Sequence, residues 1–156
     1  MSHDHAPKSD LALQAVEVCL CFHTRKASRA ITQVFDKILA PTGLKATQLS
    51  LLMVVNSRGP IRVGDLSDAL VSDSTTVSRT IKPLIKSALI AQRPSREDGR
   101  IKLIELTAEG AVALDQAMPL WQQAQSLVAK KLGGETVQNM LPALEKASYL
   151  GPADPD

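Results

Sequence analysis

Asp73-Ser74-Thr75-Thr76-Val77-Ser78-Arg79 and, further along, Asp98-Gly99-Arg100 with Leu106-Thr107 bound the stretch that decides the fold. Ser72 or Asp73 can accept the unpaired N–H groups of a first helical turn. Val77, Ile81, Leu84 and Ile85 then share one face of a helix that ends near Ser87. Leu89-Ile90-Ala91 begins a strand. Pro94 to Arg100 turns the chain, with Asp98-Gly99 near the tip. Ile101, Leu103 and Leu106 alternate or nearly alternate with polar residues, as a returning strand requires. The helix start is short, rich in hydroxyls and closed by an arginine, a surface suited to lie against nucleic acid.

Upstream, a short helix near Val63 to Leu70 buries Leu66, Ala69 and Leu70, and Val71-Ser72 joins it to the first, as in a helix-turn-helix. Before it, a helix from about Lys45 to Asn56 is expected to bury Leu51, Leu52, Val54 and Val55. Gly59-Pro60 breaks that helix and Ile61 is a candidate edge strand. The first helix is expected over Asp10 to Leu39, with Val16, Leu20, Ala27, Ile31, Val34 and Ile38 on one stripe, until Pro41 and Gly43 end it. At 1.5 Å per residue it spans roughly 45 Å, longer than a small core needs, so part of it is expected to pack on another subunit. Downstream, Thr107 caps a helix to about Leu132. Leu114, Met118, Trp121, Gln125, Val128 and Leu132 recur by fours and threes, a seam for a partner helix interrupted by one glutamine. Gly133-Gly134 breaks it. A last helix, about Glu135 to Leu150, offers Val137, Met140, Leu141 and Leu144.

The 156 residues suffice for one compact domain with an oligomerisation element. Hydrophobic residues make up 44% and aromatics only 3%, so the core must be aliphatic. Net charge is +2, yet eight of the 18 Lys and Arg and five of the 16 Asp and Glu fall between Arg62 and Lys102. Positive charge thus collects in the segment with the hydroxyl-rich helix start. No basic start followed by an apolar run opens the chain, and no apolar stretch approaches the roughly 18 residues of a membrane helix. The expectation is a cytoplasmic protein without a membrane span, with Cys19 and Cys21 as thiols.

The order helix, helix-turn-helix, hairpin and long helices resembles the MarR family of bacterial transcription regulators over about residues 16 to 150. The resemblance is carried by Gly43-Leu44 with Gln48, by Asp73 to Arg79, by Lys86-Ser87-Ala88-Leu89-Ile90, and by Asp98-Gly99-Arg100 followed by Leu106-Thr107-Ala108-Glu109-Gly110. Each piece is short and degenerate; their order and spacing are specific. The resemblance implies a mainly α fold with a small β-hairpin wing, a winged helix-turn-helix plus long dimerisation helices. It divides the chain into a flexible arm (1–9), a helical dimerisation region (10–44 and 107–150), a DNA-binding region (45–106) and a flexible tail (151–156). It further implies that Ser74, Thr75, Thr76, Ser78 and Arg79 face the major groove, with Lys82 near the backbone and Arg100 in the minor groove. Asp98 would hold a wing arginine, Arg96 or Arg100, or the wing backbone. The chemistry agrees, since hydroxyls and helix-start N–H groups suit phosphates and base edges, and Arg79 can take a guanine with two hydrogen bonds. A homodimer would carry two such helices to a pseudo-palindrome with half-sites about 10–10.5 base pairs apart. The partner that the resemblance implies is double-stranded DNA.

Two features bear on the signal. Cys19, Cys21 and His23 are candidate sensor groups. Cys19 and Cys21 point about 200° apart on a helix and cannot easily pair, whereas Cys19 and His23 share a face and could ligate a soft metal or respond to oxidant with a partner from the other subunit. The competing reading makes Cys19 a small buried apolar residue of the helix stripe. Family members often sense a small aromatic or anionic effector, for which Phe22, Arg25, Arg29 and Trp121 are candidates. Arg25 and Arg29, four apart, can meet one carboxylate or merely cover the surface. No cofactor is expected and no metal site, since four well-spaced ligands are missing.

The leading expectation is a DNA-binding regulator, a repressor answering to a ligand or to redox state. Alternatives are a winged-helix module that binds another protein, for which an acidic or apolar recognition helix would be the mark, and a thiol-based sensor of the same fold. An enzyme using Cys19 or Cys21 with His23 lacks a base-and-orienter set or a nucleotide loop.

Overall fold

A computed structural model describes residues 10–150, so the expected arm and tail lie outside the described residues. In chain order these are α1 (Asp10–Val18), α2 (Leu20–Leu39), a 3-10 turn (Ala40–Thr42), α3 (Ala46–Arg58), β1 (Ile61–Arg62), α4 (Val63–Ala69), α5 (Ser74–Lys86), β2 (Ile90–Pro94), β3 (Lys102–Leu106), α6 (Ala108–Leu132) and α7 (Gly134–Ser148). The mainly helical class with a small hairpin is as expected. The chain forms two compact units, one ending at Gln33 and the other beginning at Val34.

In the first unit the single long helix expected from Asp10 is divided at Cys19. The hydrogen-bond ladder still runs through the joint, with Cys19 N–H donating to Ala15 O (2.9 Å) and His23 N–H to Cys19 O (3.1 Å). Side chains take part as well. Cys19 Sγ accepts from Phe22 N–H at 3.4 Å, and His23 Nε2 donates to the Glu17 carbonyl at 3.0 Å. Leu11, Val18 and Leu20 are at least three-quarters exposed, so α1 and the start of α2 carry exposed apolar side chains.

In the second unit α3 is central, packed against α4, α5, α6 and β3. Asp36 Oδ1 accepts from the Ala46 N–H at 2.7 Å and so caps α3 from α2, while Gln48 Oε1 accepts from Lys45 N–H. Gly59, at φ 72, ends α3 in a conformation that favours glycine. The core is aliphatic: Leu39, Leu49, Leu51, Leu52, Leu66, Leu84 and Ile104 are essentially inaccessible, and α5 contributes Val77 and Ile81 besides.

The sheet is antiparallel in the order β1-β3-β2. Ile61 pairs with Ile104 and Arg62 with Leu103; across the hairpin Ile104 pairs with Gln92 and Leu103 with Arg93. The edge strand expected at Ile61 is present. The inward residue of β3 is Ile104, however, and Ile101 and Leu103 are only half-buried, so the expected alternation was off by one position. Pro94 belongs to β2 instead of the turn. Ile85, expected inside, is exposed, because at about 100° per residue it sits beyond the edge of the Val77–Ile81–Leu84 stripe. Val54 is only half-buried. The seam expected to serve a partner helix is divided. Leu114 is buried in the chain's own core and Met118 and Trp121 pack against it, whereas Leu132 is exposed.

Candidate nucleic-acid interface

Asp73 starts α5. Its Oδ1 accepts from the Thr76 N–H at 2.8 Å and its Oδ2 from the Thr76 hydroxyl at 2.7 Å. These bonds hold the Asp73 carboxyl below its ordinary value of 3.8, the hydroxyl contributing most. The cap commits the Thr76 hydroxyl hydrogen, so Thr76 is left chiefly an acceptor.

With Val77 and Leu84 inward, a step of about 100° per residue turns Thr75, Arg79, Lys82 and Lys86 away from the core. All four are exposed. They form one outward stripe with three cations on it. Ser74 and Thr76 are exposed on the flanks, and Ser78 is half-buried on the flank. Lys86, not among the candidate residues read from the sequence, shares this stripe, four residues from Lys82 and seven from Arg79.

The wing is held by its own backbone. Ser95 N–H donates to Ile101 O (2.7 Å) and Ile101 N–H to Asp98 O (2.9 Å). Asp98 Oδ1 accepts from the Arg100 N–H at 3.0 Å, a side-chain turn that shapes the tip. Of the two roles expected for Asp98, it takes the backbone one. The ion pairs among the described residues are Lys45–Asp36 and Arg93–Glu105, which leaves Arg96 and Arg100 exposed and outside both.

The other candidate groups are spread over both units. Phe22, Arg25 and Arg29 line one shallow hollow of about 350 Å³ with Lys26, Ala30 and Gln33, all on α2. Phe22 meets His23 edge-on, ring centroids 5.5 Å apart. Trp121 belongs to the second unit, half-buried against its core. Cys19 is half-buried and Cys21 exposed, both free thiols. Among the described residues no three His, Cys, Asp or Glu side chains gather for a metal, and no single helix is long and apolar enough to cross a membrane.

A family model described as MarR family matches residues 42–101. The chain is 27% identical to the organic hydroperoxide resistance transcriptional regulator of Bacillus subtilis over 80% of this chain and 84% of that one. It is 29% identical to the HTH-type transcriptional repressor NicR of Pseudomonas putida, over 72% of each. Among solved structures, the M. tuberculosis transcriptional regulator MosR in complex with DNA is similar at 32% identity and a TM-score of 0.68, over 83% of this chain and 98% of that one.

Proposed function

This chain belongs to the MarR family of DNA-binding transcription regulators, and from that premise we propose that it is a repressor that binds a pseudo-palindromic operator as a homodimer. The observation that carries the operator reading is the outward stripe Thr75, Arg79, Lys82 and Lys86 on a capped helix, next to a wing that presents Arg96 and Arg100. Arg79 would read a guanine edge, Lys82 and Lys86 would meet phosphates, and Arg100 would enter the minor groove. The exposed Leu11, Leu20, Leu141 and Leu144 support a second copy as the cover of α1, α2 and α7. The cytoplasm, where the chromosome is, is the proposed location.

A mobility-shift assay tests the reading. Arg79→Ala and Arg100→Ala should each abolish the shift of the upstream region of the chain's own gene while circular dichroism and dimer mass stay as in wild type. Unchanged affinity in both sinks the reading.

Two signals are proposed for release. An anionic aromatic effector would use Phe22, Arg25 and Arg29. A peroxide would act at Cys19 or Cys21, a reading supported by the name of the Bacillus relative. There the thiolate attacks the outer oxygen of the hydroperoxide, an S–O bond forms as the O–O bond breaks, and the sulfur becomes a sulfenic acid while the alkoxide takes a proton from water and leaves as an alcohol. Release of DNA by cumene hydroperoxide that a chain carrying both Cys19→Ser and Cys21→Ser retains rules out the thiols; release by benzoate that is lost in Arg25→Ala and Arg29→Ala supports the effector.

A further inference from the structure

The outer face of the small sheet carries a row that crosses all three strands: Arg62 on β1, Leu103 on β3 and Arg93 on β2 are register partners. Adjacent strands lie about 4.8 Å apart, so the two arginines rise on either side of Leu103 roughly 10 Å from each other, within reach of one anion held above it. They line a hollow of about 450 Å³ that also includes Arg96, Glu97 and Glu105.

Arg93 is held in a particular way. Its Nε pairs with Glu105 Oε1, the Glu105 side chain only 24% exposed and that of Arg93 70% exposed. The carboxylate is therefore the less exposed partner, and because it is met by Nε, the two terminal nitrogens of Arg93 remain to meet an anion as a fork, the geometry that matches a phosphate. An ion pair this exposed contributes little to stability, so orientation of the fork is its better account.

The hollow borders one surface already assigned, since Arg96 and Glu97 of the wing loop help to line it. β2 follows the recognition helix α5 and leads to the wing loop with Arg96 and Arg100. A protein that sets one element in the major groove and another in the adjacent minor groove must straddle the sugar-phosphate strand between them. We infer that Arg62 and Arg93 clamp a phosphodiester of that strand, with Glu105 as the positioning residue for Arg93. This rests on the operator reading above.

The test uses the full chain, a duplex selected from a random-sequence pool by the wild-type protein, and an unrelated duplex. Binding is read by fluorescence anisotropy across a salt series, with thermal melts showing that each variant is folded. Arg62→Ala and Arg93→Ala should each weaken binding about three- to tenfold, equally on both duplexes. Each should flatten the log–log salt slope by about 0.9, the signature of one lost phosphate contact. Glu105→Gln should also weaken binding, although it makes the chain more positive; tighter binding would mean that Glu105 merely repels DNA and would remove its positioning role. Wild-type slopes in Arg62→Ala and Arg93→Ala, beside clear losses in Arg79→Ala and Arg100→Ala, overturn the clamp and leave the operator reading intact. No loss in any of the four overturns both. Inorganic phosphate that raises the wild-type melting temperature but not that of Arg93→Ala at matched ionic strength, with duplex slopes unchanged, assigns the hollow to a free anion and overturns the phosphodiester.

Discussion

The hydroxyl of Thr107 donates to the carbonyl of Ala88 at 2.6 Å, tying the residue before α6 to the turn that closes the recognition helix. The same oxygen accepts from Gly110 N–H at 2.9 Å, and Thr107 N–H donates to Leu89 O at 3.2 Å. Gly110 is buried hard against this turn. A Cβ there would overlap the Leu89 carbonyl oxygen and lie 2.8 Å from Leu106 Cδ1. The start of α6 is thus held to the end of α5 by two hydrogen bonds and a close backbone contact.

Thr107→Ala removes a helix cap and the bond to Ala88. A loss of about 1–2 kcal/mol in urea unfolding is expected. Gly110→Ala forces backbone apart and should cost about 2 kcal/mol or more. A Gly110→Ala chain as stable as wild type would mean that the junction yields easily.

Both helices of the helix-turn-helix end on a left-handed residue that is not glycine: Val71 at φ 47 and Ala88 at φ 58. In each, paired bonds close the helix end: Ser72 N–H to Ser67 O with Val71 N–H to Asp68 O, and Leu89 N–H to Leu84 O with Ala88 N–H to Ile85 O. A β-branched residue there is strained, at about 1–2 kcal/mol, partly offset by the extra chain entropy that glycine loses on folding. Val71→Gly should therefore raise stability by about 0.5–1 kcal/mol, and Ala88→Gly by a similar or smaller amount. A lowered urea midpoint for Val71→Gly would show that the valine side chain makes a stabilising contact despite its exposure.

The start of α5 should respond to acid and not to neutral pH. The folded Asp73 carboxyl lies below its ordinary 3.8, so its contribution is fully present above 3.8 and is lost as pH falls through the depressed folded value. The amide proton of Thr76, followed by NMR, should shift and exchange faster only below that point. Asp73→Asn keeps an acceptor for the amide but has no carboxyl to titrate, so its Thr76 signal should stay flat with pH. A wild-type transition near neutral pH contradicts the capping account.

Much of this was readable beforehand because local chemistry and tertiary packing agree. Asp73 and Thr107 are caps by residue type and by geometry. Gly59-Pro60 and Gly133-Gly134 broke helices where they stood. What escaped reading depended on partners distant in sequence. Ile104 faces inward because it pairs with Ile61, and two adjacent apolar residues, Leu103 and Ile104, hide which one does so. Leu114, Met118 and Trp121 fit a partner seam by spacing, but the aliphatic core of the same chain takes them first. Arg62 and Arg93 lie far apart in sequence and meet across Leu103 only through the strand order β1-β3-β2. The Cys19 joint has no Gly or Pro to announce it.

The outward stripe of α5 separates residues that the hydroxyl-rich motif alone lumps together. Lys86 lies near the direction opposite Val77, in line with Arg79, whereas Ser78 turns toward the flank and is half-buried. Lys86→Ala should weaken binding to selected and unrelated duplexes alike and flatten the salt slope by about 0.9, because a lysine on this stripe meets phosphate as a point charge. Arg79→Ala should instead cost affinity on the selected duplex far more than on the unrelated one, narrowing the ratio between them roughly tenfold or more, because two hydrogen bonds to a guanine edge carry sequence information. Ser78→Ala should change neither by more than about twofold, the size of one weak exposed hydrogen bond. Anisotropy titrations of the three variants at two salt concentrations separate the roles. If Ser78→Ala erased discrimination while Arg79→Ala left it whole, the helix would have to lie rolled in the groove by about a quarter turn, with its flank and not its stripe against the bases.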